Sequence, residues 1–364
     1  MKGIMRKSTY FTAIATFLMS ASTAVAVPVH INSGNPAYPF PQFLEYACGG
    51  NLGTENPEGL VHAEMERYIR KAYQQHANEF EYTGKEYKGI KYIWTPYKAA
   101  YDCSEGDGYA LLAAAYMADK VTFDGYWMAT HDKRRVHTKR YSDCSDNAPN
   151  YEFGKFAISD GADEGGNTAA DGDVDVALAL YVAYKQWGEF MLDEKGEKVL
   201  DACGNPISYK QEMINVIRGL VAMTNMDAGK NPARVNTGII GLDGYPRGGD
   251  TWKEQTDWAL QEENYITVDG VKVYPLFANP GGEKQHIDYC APAYFREFHD
   301  LFVEMADAVG ATAEWEAEQF RRAEASSDWL IGDLIGKNKT SLPTAGWNTV
   351  SRKKKKKKYS NFQD

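Results

Sequence analysis

Two acidic stretches have the residue types and placement for chemistry. In "CSEGDGYALLAAAYMAD" (103–119), Glu105 stands between small residues at the mouth of an almost wholly apolar run. In "NTAADGDVDVALALYVAYKQWG" (167–188), Asp171, Asp173 and Asp175 precede a second such run. Carboxyl groups in pairs cleave glycosidic bonds: one, protonated, releases the leaving oxygen, and the other, ionised, activates water or attacks. An acid wedged between an apolar helix and a loop has its pKa raised by desolvation, as a proton donor requires. Simpler readings stand beside this one. Glu105 can favour a helix N-terminus through the backbone dipole, and an aspartate of the second stretch can serve as an N-cap. The D-x-D-x-D spacing also suits a calcium loop. That motif needs Gly at its sixth position and an acid at its twelfth, where this chain has Val176 and Val182.

Other chemistries lack their residues. No H-E-x-x-H, G-x-S-x-G or P-loop occurs, and the seven histidines are scattered singly without an i, i+4 pair. Five cysteines, Cys48, Cys103, Cys144, Cys203 and Cys290, form no C-x-x-C pair, which argues against a zinc ribbon. The odd count leaves at least one thiol outside any intrachain disulfide, and the connectivity is not readable from spacing. No metal and no cofactor are expected. The net charge of −10 disfavours nucleic acid as a partner, because that affinity rests on Lys and Arg.

The elements that must position these acids are helical. "NPEGLVHAEMERYIRKAYQQ" carries Asn56 as N-cap and Pro57 at the first helical position. "SYKQEMINVIRGLVAM" opens with Ser208 and Gln211 in capping-box spacing, then puts Met213, Ile214, Ile217, Leu220 and Val221 on one face. "APAYFREFHDLFVEMADAVG" and "TAEWEAEQFRRAEASSDWLIGDLIG" read as two more helices joined at Gly310, with one short strand pair at "YITVDGVKVYPL" turning on Asp269-Gly270. The runs that follow Glu105 and Asp175 have no polar face and so need cover on every side. Two concentric rings of helices provide it, and they bring the acids at the inner helix ends into one cleft.

Lys2, Arg6 and Lys7 precede the apolar "YFTAIATFLMSASTAVA", and Ala24 and Ala26 form an A-x-A site. This predicts a signal peptide over 1–26, export to the periplasm or medium, and no membrane span. Residues 27–364 are then the catalytic part. The chain's 24 Tyr and 8 Trp give more flat aromatic surface than a core needs, of the kind that stacks on sugar rings.

"SEGDGYALLAAAYMADKVTFDGYW" (104–127) resembles the general-acid motif of glycoside hydrolase family 8, and "AADGDVDVALALYVAYKQW" (169–187) resembles that family's second signature. "DYCAPAYFREF" (288–298) is similar to its S-Y-x-x-P-A-Y segment and "GDTW" (249–252) to its G-D-W stretch. The resemblance implies an all-α (α/α)6 barrel that hydrolyses β-1,4-linked glycans with inversion. Glu105 is then the general acid, Asp171 holds the distorted sugar at the central subsite, and Trp252 and Tyr289 contact sugar. The chain departs from the family at Ala170, where Ser or Thr is usual, and at Phe156, the one aromatic where a Trp usually precedes the second signature. Gly106-Asp107-Gly108 after the acid is nearer the endoglucanase and chitosanase branches than the xylanase branch.

The resemblance also places the general base at Asp364, in "YSNFQD" after the lysine-rich loop 352–358, whose Lys353–Lys358 run reads by itself as a solvated segment. The expectation is a monomeric, secreted endo-β-1,4-glucanase truncated at its base and lacking its final helices. Xylan, mixed-linkage glucan (lichenase activity) and chitosan are the alternative substrates, and a non-catalytic glycan-binding barrel is the alternative class.

Overall fold

The computed structural model describes residues 62–95, 104–134, 138–145, 169–222, 239–241, 244–248, 265–273, 285–286, 289–338, 346–350 and 358–362. Eight helices lie among them: α1 (His62–Ala77), α2 (Ser104–Tyr116), α3 (Lys120–Arg134), α4 (Ala170–Trp187), α5 (Tyr209–Ala222), α6 (Pro292–Glu304), α7 (Ala306–Val309) and α8 (Ala313–Asn338). The strands are short: β1 (Glu81–Tyr87), β2 (Ile90–Trp94), β3 (Ile266–Val268), β4 (Val271–Val273), β5 (Gln285–His286), β6 (Gly346–Val350) and β7 (Lys358–Phe362).

Helices α2 and α4 are the enclosed pair that their composition calls for. In α4, Val176, Ala177, Leu178, Ala179 and Leu180 are consecutive and all buried, so every face of the helix is covered. Small residues on α2, notably Ala110, Ala114 and Ala115, let it lie close against α4 and α3. Their apolar side chains form one core with those of α3, α5, α6 and α8, whose large buried rings include Trp127, Tyr209, Phe295, Phe298 and Phe320.

Polar groups fix the neighbours. Asp119 accepts from Thr122 N (3.2 Å) as the N-cap of α3 and from the Tyr73 hydroxyl (2.9 Å), tying α1 to that corner. Ser208 caps α5 by accepting from Gln211 N (3.1 Å), as its spacing predicts. The return half of the capping box is absent because the Gln211 amide donates along the helix to Asn215 Oδ1 (2.9 Å). Arg218 on α5 pairs with the buried Glu316 of α8 at 2.8 Å and also donates to the Val309 carbonyl. These bonds join α5, α7 and α8.

The expected hairpin is present, β3 and β4 turning on Asp269 and Gly270 at φ 48° and 78°. A second one, β1–β2, turns on Lys88-Gly89 at φ 49° and 83°, the left-handed pair that matches strand twist. Its strand β2 packs on α3. At the far end of the chain β7 pairs with β6, and β6 with β5. Lys358 therefore begins a strand rather than ending a solvated run; its backbone groups find partners in residues 346–350, a pairing that charge counting along the chain does not register. Asn56, Pro57, Lys353–Lys357 and the segment 1–26 lie outside the described residues.

One disulfide, Cys144–Cys203, joins the loop after α3 to a pair of tight turns over 189–208. Asp201 is close to both sulfurs, but with these oxidised no thiolate remains there to bind a metal. Among the described residues no helix is long and apolar enough to cross a membrane.

Candidate active site

The site forms where α2 and α4 cross. Gly108 and Gly172 occupy the crossing: a Cβ on Gly172 would lie 2.5 Å from the carbonyl carbon of Ser104, and one on Gly108 would lie 2.8 Å from the Cβ of Asp175. Two backbones this close bring the first turns of both helices side by side, Glu105 on one and Asp171 on the other. Ser104, directly before Glu105, is fully buried against Gly172. Glu105 thus rides on a turn with no room to shift.

The aspartates do not precede α4; they lie within it. Ala169 is the N-cap, with extended backbone and no capping side chain, so none of the three acids fills that role. Asp171 bends back to accept from Gly172 N at 2.9 Å, and Asp173 is buried. Asp175 stands one turn beyond Asp171 on the same side of the helix.

Electrostatics gather these groups into one cluster. The carboxyl of Asp175 is pushed up from its ordinary value to about 6, first by burial, then by the charges of Asp171 and Glu105. Tyr109 donates its hydroxyl to Glu105 Oε1 at 2.9 Å. That phenol is raised to about 12, foremost by this hydrogen bond, then by burial and by the charges of Glu105, Asp175 and Asp171. Tyr294 on α6 is raised to about 12 by burial and then by Asp175 and Tyr116. Three carboxyl groups from two helices, with Tyr109 of α2 and Tyr294 of α6, therefore share one acidic, aromatic-lined region.

Of the residues singled out from sequence, Glu105 and Asp171 are brought together here. Tyr289 is half-buried just ahead of α6, packed against the main core. Trp252 and Asp364 lie outside the described residues. Asp175, named with Asp171 among the acids of the second stretch, joins Glu105 and Asp171, and Tyr109, Tyr116 and Tyr294, which were not singled out, complete the cluster. Helical spacing holds the signal for two of them: Tyr109 is i+4 from Glu105, and Asp175 is i+4 from Asp171.

A cavity of about 350 Å³ lies nearby, between β2, α3 and the first turn of α2. Asp107 lines it, while Glu105 and Asp171 do not. Its floor is structural. Asp132 there accepts from the Tyr92 hydroxyl (2.7 Å), Tyr141 N (2.6 Å) and Lys85 Nζ (3.2 Å). Burial pushes this carboxyl up, but the hydrogen bonds from His131, Ser142 and Tyr92 outweigh it and hold Asp132 below the usual carboxylate range.

Residues 88–233 match the family model "Glycosyl hydrolases family 8". A beta-glucanase of Niallia circulans is 27% identical over 191 residues, which are 50% of this chain and 42% of the relative. The chain thus spans about two fifths of the length of that curated relative. Among solved structures, a mutant of a reducing-end-xylose releasing exo-oligoxylanase complexed with xylobiose superposes with a TM-score of 0.51 at 13% identity, covering 79% of this chain and 59% of that one. A second mutant of that enzyme gives a TM-score of 0.51 at 12% identity over 80% and 60% of the two chains. At such identity the likeness establishes the fold, the (α/α)6 barrel, with α2 and α4 as enclosed helices. The matched segment holds Glu105, Asp171, Asp175 and the helices that carry them, so it is over the site itself that the chain is similar to glycosyl hydrolases of family 8.

Proposed function

We propose that this protein is a secreted inverting glycoside hydrolase that cleaves internal β-1,4 bonds of a glucan. The observation that carries the reading is the backbone-close crossing of α2 and α4, which sets Glu105 beside Asp171 and Asp175 in one acidic region lined by tyrosines. In the proposed reaction Glu105 gives its proton to the glycosidic oxygen as the bond from that oxygen to the anomeric carbon breaks. Water attacks the anomeric carbon from the opposite face, and its proton passes to the base carboxylate, a role the family resemblance assigns to Asp364. Asp171 holds ring hydroxyls of the distorted sugar, and Trp252 and Tyr289 stack on or contact flanking units. The beta-glucanase relative favours glucan over xylan or chitosan. The disulfide Cys144–Cys203 supports an oxidising compartment, in keeping with the signal-like segment 1–26.

The deciding experiment is reducing-sugar release from carboxymethylcellulose, mixed-linkage β-glucan, xylan and chitosan, by the wild type and by Glu105→Gln. Gln keeps the shape but has no proton to deliver, so activity on the preferred glucan falls on the order of 10² to 10⁴. Retention of more than about a tenth of the rate returns Glu105 to a helix-terminus role. Binding of glucan without hydrolysis by the wild type selects the non-catalytic barrel instead. Proton NMR of the first products gives the α-anomer under inversion, whereas initial β-product refutes the two-carboxylate geometry with its intervening water.

A further inference from the structure

We propose that Tyr109 is the positioning residue for Glu105, fixing which carboxyl oxygen carries the catalytic proton and stabilising the carboxylate left behind. The inference rests on the reading of Glu105 as proton donor. It begins from an oddity of α2. This helix is otherwise enclosed, yet Tyr109 in its middle is 53% exposed. Its ring leans toward the helix N-terminus, the normal direction for a long helical side chain, and its hydroxyl donates to Glu105 Oε1 at 2.9 Å. Both ends of this bond are on a turn that Ser104 and Gly172 hold rigid.

A phenol raised to about 12 remains a donor throughout any working pH range. An oxygen that accepts from it is the carbonyl oxygen of the protonated acid, so the acidic hydrogen resides on Oε2. As Oε2 hands its proton to the glycosidic oxygen, Glu105 becomes an anion, and the bond from Tyr109 becomes charge-assisted and about twice as strong. Stabilisation that grows along the reaction lowers the barrier, whereas equal stabilisation of both states does not. The charged and titratable groups facing this pair are Asp171 and Asp175 from α4, with Tyr116 of α2 and Tyr294 of α6 beside Asp175. None of these is a cation, so within this set Tyr109 is the group that opposes the growing negative charge.

The test is Tyr109→Phe in the full chain, on two substrates. Mixed-linkage β-glucan has a sugar leaving group that needs the proton; β-cellobiosyl fluoride releases fluoride and does not. The expected result is a kcat about 10-fold lower on glucan, less than about twofold change on the fluoride, and unchanged KM. In the Glu105→Gln background the same change has no further effect on glucan, because coupled residues are not additive. Equal losses on both substrates, a change in KM alone, or full additivity overturns the proposal and makes Tyr109 a sugar contact or a structural residue. The underlying reading has its own control: Glu105→Gln must lose glucan and keep fluoride, and if it loses both or neither, Glu105 is not the acid. The hydrogen bond is checked without turnover by the ring 13C resonance of Tyr109 at pH 6, assigned through the Phe variant. It shifts in Glu105→Ala; a resonance that stays put overturns the pairing even in an inactive chain.

Discussion

Replacing Gly172 with alanine adds one methyl group at the point where α4 touches α2. That methyl would begin 2.5 Å from the Ser104 carbonyl carbon and 2.7 Å from its Cβ. Ordinary carbon contacts are about 3.5–4.0 Å, so the helices must part by about 1 Å, and backbone atoms cannot rotate aside as a flexible side chain can. Overpacking of this kind costs about 1–3 kcal/mol. Against it stands the gain of about 1 kcal/mol from replacing Gly by Ala inside a helix. Gly332 on α8 isolates that gain, since a Cβ there meets nothing within 4 Å. Gly332→Ala therefore stabilises by up to about 1 kcal/mol, while Gly172→Ala destabilises by up to about 2 kcal/mol net. In domains of a couple of hundred residues each kcal/mol moves Tm by about 2–4 °C, so thermal unfolding followed by circular dichroism separates the two variants. The same displacement carries Asp171 away from Glu105, and a 1 Å misplacement can cost on the order of 10² in rate. Activity on β-glucan well below Tm is thus expected to collapse in Gly172→Ala and to survive in Gly332→Ala. If Gly172→Ala raises Tm as Gly332→Ala does and keeps full activity, the close crossing is not what organises the site.

Further outcomes concern charge and covalent ties. Asp175 binds its proton more tightly folded than unfolded, so it lowers stability progressively as pH rises from about 4 toward about 6. Asp175→Asn removes that loss, and the Tm advantage of the variant over wild type should be larger at pH 7 than at pH 4; an equal advantage at both refutes the raised value. Asp132 has the opposite sign: its folded pKa is depressed, so its stabilisation is complete above the unfolded value near 4 and fades as pH falls through the folded one. Asp132→Asn, which breaks a buried charged hub, is expected to cost about 3 kcal/mol at pH 7 and progressively less below pH 4 in denaturant titrations. A gap that stays constant with pH would contradict this. The Cys144–Cys203 bridge closes a loop with a sequence separation of 59, for which chain entropy sets a ceiling of about 4 kcal/mol. Cys203→Ser should lower Tm and abolish the sensitivity of Tm to reducing agent, and a wild-type Tm indifferent to reductant argues against the bridge.

The helices were legible where local pattern and burial agree. Met213, Ile214, Ile217, Leu220 and Val221 fall on one buried face of α5, as their spacing predicts. The β3–β4 hairpin was readable from Asp269-Gly270, a pair tolerant of positive φ. Lys88-Gly89 makes the same turn but went unread, because Lys is not a residue that usually accepts φ 49° and the flanking strands do not alternate cleanly. The aspartates of α4 were read as preceding their helix. Asp is a favoured N-cap, yet here the close packing of Gly172 against Ser104 draws the helix start back to Ala170.

From the sequence alone came the residue types: acids at the heads of two apolar runs, glycines beside them, and a polarity pattern that requires enclosed helices. These follow from local chemistry, because a helix without a polar face must be covered wherever it lies. Which acids meet was decided by tertiary structure. Glu105 and Asp175 are 70 positions apart in the chain and share one electrostatic environment only because Gly108 and Gly172 let two backbones approach without intervening side chains. The raised proton affinity of Asp175 has the same origin, since burial and the charges of Asp171 and Glu105 act through space and leave no trace in the order of residues.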